Sequence, residues 1–293
     1  VAMESWHPAA LLGFFAAALV LTVVVQRPAF QVAAAAAALA LLLSVRGVAA
    51  WRTVGTLVPV VLAVALVNPL VNSQGATVIA MLPWGRPYTL EALLFGVQTG
   101  TMLATMLLWF ASFNALVAGE KLSYLIGGSA PGAALVFTMV LQLVPRFQRR
   151  AQTVFAAFDG LGMGHGRGSA AQRVRQGARE LSALTGWALE GSIVTADSMR
   201  ARGFGSGRPM RLTVYRVGAA QAATWAAMGL LLAVAVVGIA GGCATAQFVP
   251  VVSFPPPDGL FCASLVSFTL FLAMPSLVNA AERLRWRLSL SRI

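Results

Sequence analysis

Between Arg27 and Arg46 the chain carries the run Ala29–Val45, AFQVAAAAAALALLLSV, in which no residue is charged and only Gln31 and Ser44 are polar side chains. Seventeen such residues sit at the lower limit for spanning a bilayer, which takes about 20 mostly apolar residues. Lipid offers the backbone no hydrogen-bond partner, so a run of this kind closes its bonds internally and is expected to be a helix. Working outward, charge-free runs recur at Ala9–Val25, Val54–Val71, Ala92–Val117, Val217–Ala246 and Gly259–Ala281. A further run, Ala130–Val144, holds 15 residues and ends in Pro145-Arg146, which suits a buried or interfacial helix better than a span. Short alternating segments of the kind a membrane β-barrel needs are missing.

The composition agrees. Of 293 residues, 58% are apolar and 10% charged, and the mean hydropathy is +0.79. A soluble domain carries roughly 25% charged residues, so a water-soluble enzyme is excluded, and so apolar a chain is not disordered. Two cysteines, Cys243 and Cys262, are too few for a disulfide framework. They flank the loop Ala244–Asp258 and read either as packed side chains or as a pair in an oxidising compartment. With only His7 and His165, a histidine metal centre is not expected. His7 precedes Pro8 and reads as an interfacial anchor. No signal-peptide pattern is evident at the start of the first span.

The net charge is +12, and 20 of the 21 cations are arginine. Six spans with the N-terminus inside put Arg46, Arg52, Lys121, twelve arginines between 146 and 216, and Arg283, Arg285, Arg287 and Arg292 on the cytoplasmic side. Arg27 and Arg86 stay outside. The inverted topology reverses this, so the positive-inside rule favours cytoplasmic termini. A basic inner face also suits anionic lipid, and the charge needs no nucleic acid to explain it.

Residues 146 to 216 read as a helical insertion between the fourth and fifth spans, with Asp159, Glu180, Glu190 and Asp197 against the twelve arginines. One helix is expected from about Pro131 through Phe158, closed by the glycine-rich run from Gly160 to Gly168. A second is expected from about Ala170 to Arg202, with a break near Gly186 or Gly191, and stops at Gly203-Phe204-Gly205-Ser206-Gly207-Arg208-Pro209. The two ends form a weak repeat. Asp159-Gly160-Leu161-Gly162-Met163-Gly164 aligns with Arg200-Ala201-Arg202-Gly203-Phe204-Gly205, matching glycines at 162 and 203 and at 164 and 205. In the second helix Leu181, Leu184, Ala188 and Val194 or Thr195 mark an apolar stripe.

Arginine in a last helical turn has a plain reading, since it offsets the negative end of the helix dipole by about 0.3–1 kcal/mol, and Asp197 and Arg200 are spaced to pair. The sharper reading is that a rigid helix end presents Arg202 to an acidic groove on a soluble partner, which the planar guanidinium grips in bidentate fashion. The glycine-rich run after Gly160 lacks the strand, turn and Gly-Lys-Ser/Thr of a phosphate cradle and reads as a linker.

The spans hold no Asp, Glu, Lys or His; their polar residues include Gln31, Asn68, Gln98, Asn114 and Gln221, with scattered Ser and Thr. Asn68 precedes Pro69 and reads as a local cap. Glu91 and Glu120 stand at span ends. Ion coupling, proton relay and intramembrane catalysis all call for buried ionisable groups, so the chain is expected to be no enzyme.

Four passages then resemble the transmembrane T component of energy-coupling factor transporters, the group that includes the membrane subunit of cobalt and biotin uptake systems. They are Trp6-His7-Pro8 ahead of a span; Asn68-Pro69-Leu70-Val71-Asn72 with Gly75 and Leu82-Pro83-Trp84-Gly85-Arg86-Pro87-Tyr88-Thr89-Leu90-Glu91; Leu141-Gln142-Leu143-Val144-Pro145-Arg146-Phe147; and Ser198-Met199-Arg200-Ala201-Arg202-Gly203-Phe204, which is similar to the second of the family's two Ala-Arg-Gly coupling motifs. The likeness covers roughly residues 4–235. Where the family's first motif is expected, Gly160-Leu161-Gly162 stands, with Leu161 in place of arginine. That departure implies either an asymmetric pair of ATPases or a weakened or repurposed coupler. The last span, Gly259–Ala281, goes beyond the usual shorter form.

The resemblance implies an all-α, polytopic protein of about six transmembrane helices: helices within 1–130, coupling helices at 131–216, and helices with a basic tail at 217–293. It implies an inner-membrane scaffold that binds no cofactor itself. ATP and magnesium belong to two ABC-type ATPase subunits, and the vitamin or metal ion to a small membrane S subunit. Arg202, aided by Arg200, Ala201 and Gly203, is the expected ATPase contact. Leu141, Val144, Phe155 and Phe158 either hold the S subunit or pack within this chain. A self-contained secondary carrier and a non-transport scaffold of the same fold are the rival expectations.

Overall fold

The computed structural model describes residues 6–72, 74–81, 85, 87–117, 119–162, 169–207, 218–248 and 252–290. Arg86, the run 82–84, the glycine-rich run 163–168 with Gly164 and His165, and Arg208, Pro209, Arg211, Arg216 and Arg292 lie outside these. The described residues form nine α-helices and one two-stranded hairpin: α1 Pro8–Val24, α2 Pro28–Arg46, α3 Ala50–Val71, β1 Val78–Met81, β2 Pro87–Thr89, α4 Leu90–Leu116, α5 Gly119–Ser129, α6 Pro131–Gly160, α7 Ala170–Ala201, α8 Ala219–Ala240 and α9 Gly259–Leu290. Four helical stretches are long and apolar enough to cross a membrane: Pro28–Val71, Leu90–Leu116, Gln221–Ala240 and Gly259–Arg285. The first contains α2 and α3, joined by a 3₁₀ turn at Gly47–Ala49. The protein is an all-α, multi-span helical membrane protein. It divides into two compact units, Val1–Ala118 with Tyr215–Ile293, and Gly119–Val214.

In the first unit α2 is central, packed between α4 and α9. Its alanine run makes this possible, because Ala34, Ala37 and Ala38 are buried and let neighbouring backbones approach. Outside that layer, α3 lies on α4 and α8 on α9. The α3–α4 crossing is set by Gly96 and Gly100, four residues apart. A Cβ at Gly96 would stand 2.9 Å from the Ala65 carbonyl oxygen, and one at Gly100 would stand 3.0 Å from that of Val61. Helix α1 packs on α4 through aromatic edges: Trp109 lies 5.7 Å from Phe14 and 6.3 Å from Phe15, centroid to centroid. Phe14 also reaches Phe271 of α9, and His7 meets Trp225 of α8 edge-on. His7 caps α1 as well, its Nδ1 accepting the Ala9 N–H. Between Trp6, Gly13, Phe14, Trp225, Met228 and Phe271 an apolar hollow of about 230 Å³ remains.

Arg27, the residue ahead of α2, is a tertiary clamp. It is 8% exposed, donates to the carbonyl oxygens of Cys243 (3.3 Å) and Pro255 (3.1 Å), and lies 3.8 Å from the Phe261 ring centroid. The Gln26 and Arg27 backbone N–H groups both donate to Ala244 O. One side chain thus fastens the α8–α9 connection to the α1–α2 turn. Cys243 and Cys262 are free thiols. At the other end of α2 and α9, Asn279 donates to Ser44 Oγ, and Arg283 donates to the Ser44 carbonyl.

In the second unit α5 packs on α6, and α6 on α7. Ser123 and Thr138 hydroxyls lie 2.5 Å apart between the first two. The helix expected from about Pro131 through Phe158 is the 30-residue α6, which takes in the apolar run Ala130–Val144 from Pro131 onward and buries only Ala134. Pro131 starts it, and Pro145 sits inside without breaking it. Likewise α7 is unbroken at Gly186 and Gly191. A glycine costs a helix only about 1 kcal/mol relative to alanine, and no neighbour crowds either position.

Two predictions follow from the first unit. Gly96→Ala should lower stability by about 1–3 kcal/mol, the cost of overpacking a tight contact, whereas Gly13→Ala, with open space around it, should not; thermal denaturation of the detergent-purified protein separates them, and equal midpoints refute the assigned crossing. Arg27→Met should release the loop Ala244–Asp258. Its amides should then exchange hydrogen at least about tenfold faster, since charge-assisted bonds of this type contribute about 1.5–3 kcal/mol each; unchanged exchange would count against the clamp.

Candidate coupling ends on the second unit

Helix α7 begins with a capping box. Ser169 Oγ accepts the Gln172 N–H and Gln172 Oε1 accepts the Ser169 N–H, at 3.4 and 2.7 Å. It ends in a Schellman turn: the Gly203 N–H donates to Arg200 O at 2.9 Å, and the Phe204 N–H to Met199 O at 3.0 Å. Gly203 has φ +76°, a left-handed conformation that glycine adopts without steric cost. Arg202 is the last residue before that reversal, with φ −83° and ψ 6°, and its N–H donates to Ser198 O at 3.2 Å.

The end of α6 matches this geometry as far as Gly162. Leu161 has φ −82° and ψ 3° and donates to Ala157 O at 3.2 Å. Gly162 has φ +76°, and its N–H donates to Asp159 O at 3.0 Å. Gly162 and Gly203 of the sequence repeat therefore occupy equivalent backbone positions, and Leu161 and Arg202 stand at equivalent cap positions.

The two helices meet where Phe147 of α6 faces Trp187 of α7, with centroids 6.4 Å apart and the Arg150 guanidinium 5.8 Å from the Trp187 ring. Leu161 lies 14 residues beyond Phe147, and Arg202 lies 15 beyond Trp187. At 1.5 Å per residue each arm measures about 21–23 Å.

Electrostatically the ends differ. Arg200, Ala201, Arg202 and Gly203 are all exposed. Neither arginine side chain makes a hydrogen bond, ion pair or ring contact among the described residues, so the Asp197–Arg200 pairing that the spacing permits does not form. Gly160, Leu161 and Gly162 are exposed too, Leu161 by 70%.

Of the four apolar candidates on α6, Leu141, Val144 and Phe155 are exposed by 39, 51 and 38%, and Phe158 is half-buried. At 100° per residue the four fall within an arc of about 100°. Leu141 also packs on α5, where its Cδ1 lies 2.5 Å from the place a Cβ at Gly119 would occupy. The stripe expected on α7 is not a buried seam: only Leu184 is buried along it, while Leu181 and Val194 are about 60% exposed. Leu189 and Ile193, which the stripe did not include, are equally exposed.

Among the described residues, the first unit offers no comparable chemistry. Glu91, expected at a span end, lies in the first turn of α4, 4% exposed, and its carboxylate accepts the Thr77 N–H at 3.1 and 3.2 Å. It pins the hairpin and is occupied in doing so. Asn68 does not cap its own helix: its Nδ2 donates to Ala92 O of α4 at 2.7 Å. Gln31 is 1% exposed with neither amide atom hydrogen-bonded. Among the described residues no group of three His, Cys, Asp or Glu side chains is placed to hold a metal. No protein-family model matches the chain, and no curated protein matches it.

Proposed function

We propose that the chain is the transmembrane scaffold subunit of an energy-coupling factor importer, which passes the work of two partner ABC-type ATPases to a small substrate-binding S subunit. The observation that carries the reading is Arg202: an exposed side chain without a partner among the described residues, at a glycine-capped helix end in the passage Ser198–Phe204 that resembles the family's coupling motif. A guanidinium so placed can grip a carboxylate with two parallel bonds.

In this reading six helices, α1–α4, α8 and α9, lie in the inner membrane with both termini cytoplasmic, and α6 and α7 enter the cytosol. The arginine distribution supports that orientation. ATP and magnesium belong to the ATPases, so the chain is non-catalytic. The exposed arc of Leu141, Val144, Phe155 and Phe158 supplies apolar surface for the S subunit. The vitamin or metal ion is bound by that subunit. A self-contained carrier finds little support in a membrane part whose buried carboxylate, Glu91, is already bonded to backbone.

Reconstituted with its partners, Arg202→Ala should weaken ATPase association at least about tenfold, because truncating one side of a buried charge pair costs about 2–5 kcal/mol. Uptake should fall with it while membrane insertion is unchanged. Arg202→Lys should recover only part of the loss, since a point charge lacks the planar fork. Wild-type transport by Arg202→Ala, or uptake by the purified chain alone in vesicles, would defeat the reading.

A further inference from the structure

We propose that the hollow between α1, α8 and α9 is a lipid site, which holds one acyl chain of a membrane phospholipid with its ester carbonyl on the Trp225 indole N–H. The inference uses the membrane character of the first unit and is independent of the scaffold reading.

The hollow is a trough made by missing side chains. Ala10, Gly13 and Ala17 line it on α1, and Trp225, Gly229 and Leu232 line it on α8. Spacings of three or four place each set along one helical stripe, and seven residues of helix make a trough about 10 Å long. Both glycines are exposed, and a Cβ added to either would meet no atom within 4 Å. That is the reverse of Gly96 and Gly100, whose missing Cβ lets another helix come close. Gly13 and Gly229 keep a space open. The His7–Trp225 and Phe14–Phe271 ring contacts hold α1 to α8 and α9 beside it.

Walls and surroundings together name the occupant. Helices α8 and α9 are long and apolar enough to cross a membrane, and α1 is a shorter apolar helix. The open side of the trough therefore faces hydrocarbon. Water is a poor occupant, because apolar cavities of about 150 Å³ stay dry and take in apolar molecules. This one measures about 230 Å³. Left empty, its walls would forfeit dispersion contacts along their length. A trough of about 10 Å covers a third of the ~30 Å hydrocarbon core, which matches a segment of one chain.

Moving a tail from bulk lipid into the trough gains no hydrophobic free energy, since lipid is as apolar as the walls. A polar contact is needed to hold one lipid in place, and Trp225 supplies it. Its Nε1 is buried with no hydrogen-bond partner among the described residues, whereas a buried indole N–H ordinarily finds an acceptor. Trp225 stands in the second turn of α8, at the level where a span meets the membrane interface and tryptophans are enriched. The acceptor a phospholipid carries there is the ester carbonyl at the head of its chain. Donor and chain site belong to one wall.

The test uses the full chain in nanodiscs of phosphatidylethanolamine and phosphatidylglycerol, doped with a phosphatidylcholine that carries a diazirine at the middle of one acyl chain. After irradiation and digestion, mass spectrometry locates the adducts. Labelling at residues 10–17 and 225–232 should exceed that at Val58, Leu62 and Leu66 of α3, which are 52, 56 and 57% exposed. The expected excess is about three- to tenfold, the occupancy that one net hydrogen bond adds. Gly13→Leu combined with Gly229→Leu fills open space and should bring the trough down to the α3 level. Trp225→Phe keeps a ring in the wall but removes the donor, and should cut trough labelling about threefold while α3 labelling stays constant. Trough labelling no higher than that of α3, whether lipid exchanges freely there or a protein helix excludes it, overturns the proposal. So does labelling that the two leucines leave unchanged. A second arm replaces the probe with the free diazirine fatty acid at equal mole fraction; trough labelling as strong as the phospholipid's would assign the site to a fatty acid and overturn the phospholipid.

Discussion

A bilayer interior supplies no hydrogen-bond partner, and every backbone group placed there must find one within the chain. In the membrane unit this constraint decides more than the helices. Where the chain leaves helical geometry, a specific device collects the freed groups. At the α1–α2 turn, Gln26 and Arg27 donate their N–H groups to Ala244 O, while the Arg27 guanidinium takes the Cys243 and Pro255 carbonyls and covers the Phe261 ring. Between α3 and α4 the chain pairs with itself as a hairpin, and Glu91 accepts the Thr77 N–H at its base. Asn68, ahead of Pro69, satisfies Ala92 O on the neighbouring helix. The few polar side chains in this unit are largely spent on backbone, which is why so little chemistry is left there.

The helices themselves were legible because charge and proline punctuate them. The charge-free run Ala29–Val45 lies within α2, Pro28–Arg46, and the run Ala92–Val117 all but coincides with α4, Leu90–Leu116. Misjudged ends share one cause: hydropathy reports environment, and dihedral angles end helices. The run through Ala246 overshoots α8, which stops at Ala240 ahead of Gly242 at φ +84°. The run ending at Ala281 falls short of α9, which continues past Arg283 and Arg285 because charge does not stop a helix. The hairpin strand Val78–Met81, Val-Ile-Ala-Met, has no polar alternation to announce it. Ser169-Ala-Ala-Gln172 carried a capping-box signature that marks the start of α7 to the residue.

At the two glycine-capped helix ends the local geometry is legible in the sequence but the tertiary setting is not. Glycines matched at 162 and 203 foretold two like turns, because a chain reversal of this hand after a helix is a glycine position. The stripe along α7 showed which residues are apolar, yet periodicity is silent on what covers them. Leu184 is covered by this chain, while Leu181 and Val194 are not. Nor could spacing locate the crossing, since Phe147 and Trp187 are 40 positions apart and nothing in either helix alone marks the other. The local-cap reading of Asn68 fails for the same reason: its partner, Ala92 O, lies on another helix.

The position of the crossing bears on how a push at a helix end would travel. Pro145 lacks a backbone donor, so α6 is missing one internal bond close to the turn where Phe147 and Arg150 meet Trp187. Beyond that level α6 has no glycine or proline until Gly160, and α7 has a single glycine, Gly191, before its cap. Compliance in α6 is therefore concentrated at the crossing, and its arm behaves as a stiff rod. In the scaffold role, displacement of either tip would reach the crossing as rotation with little loss to bending of the arm. Arms of nearly equal length give the two tips nearly equal leverage, so an inequality between the two ends arises from the side chains at 161 and 202 and from the surfaces that receive them, with the backbone contributing almost none.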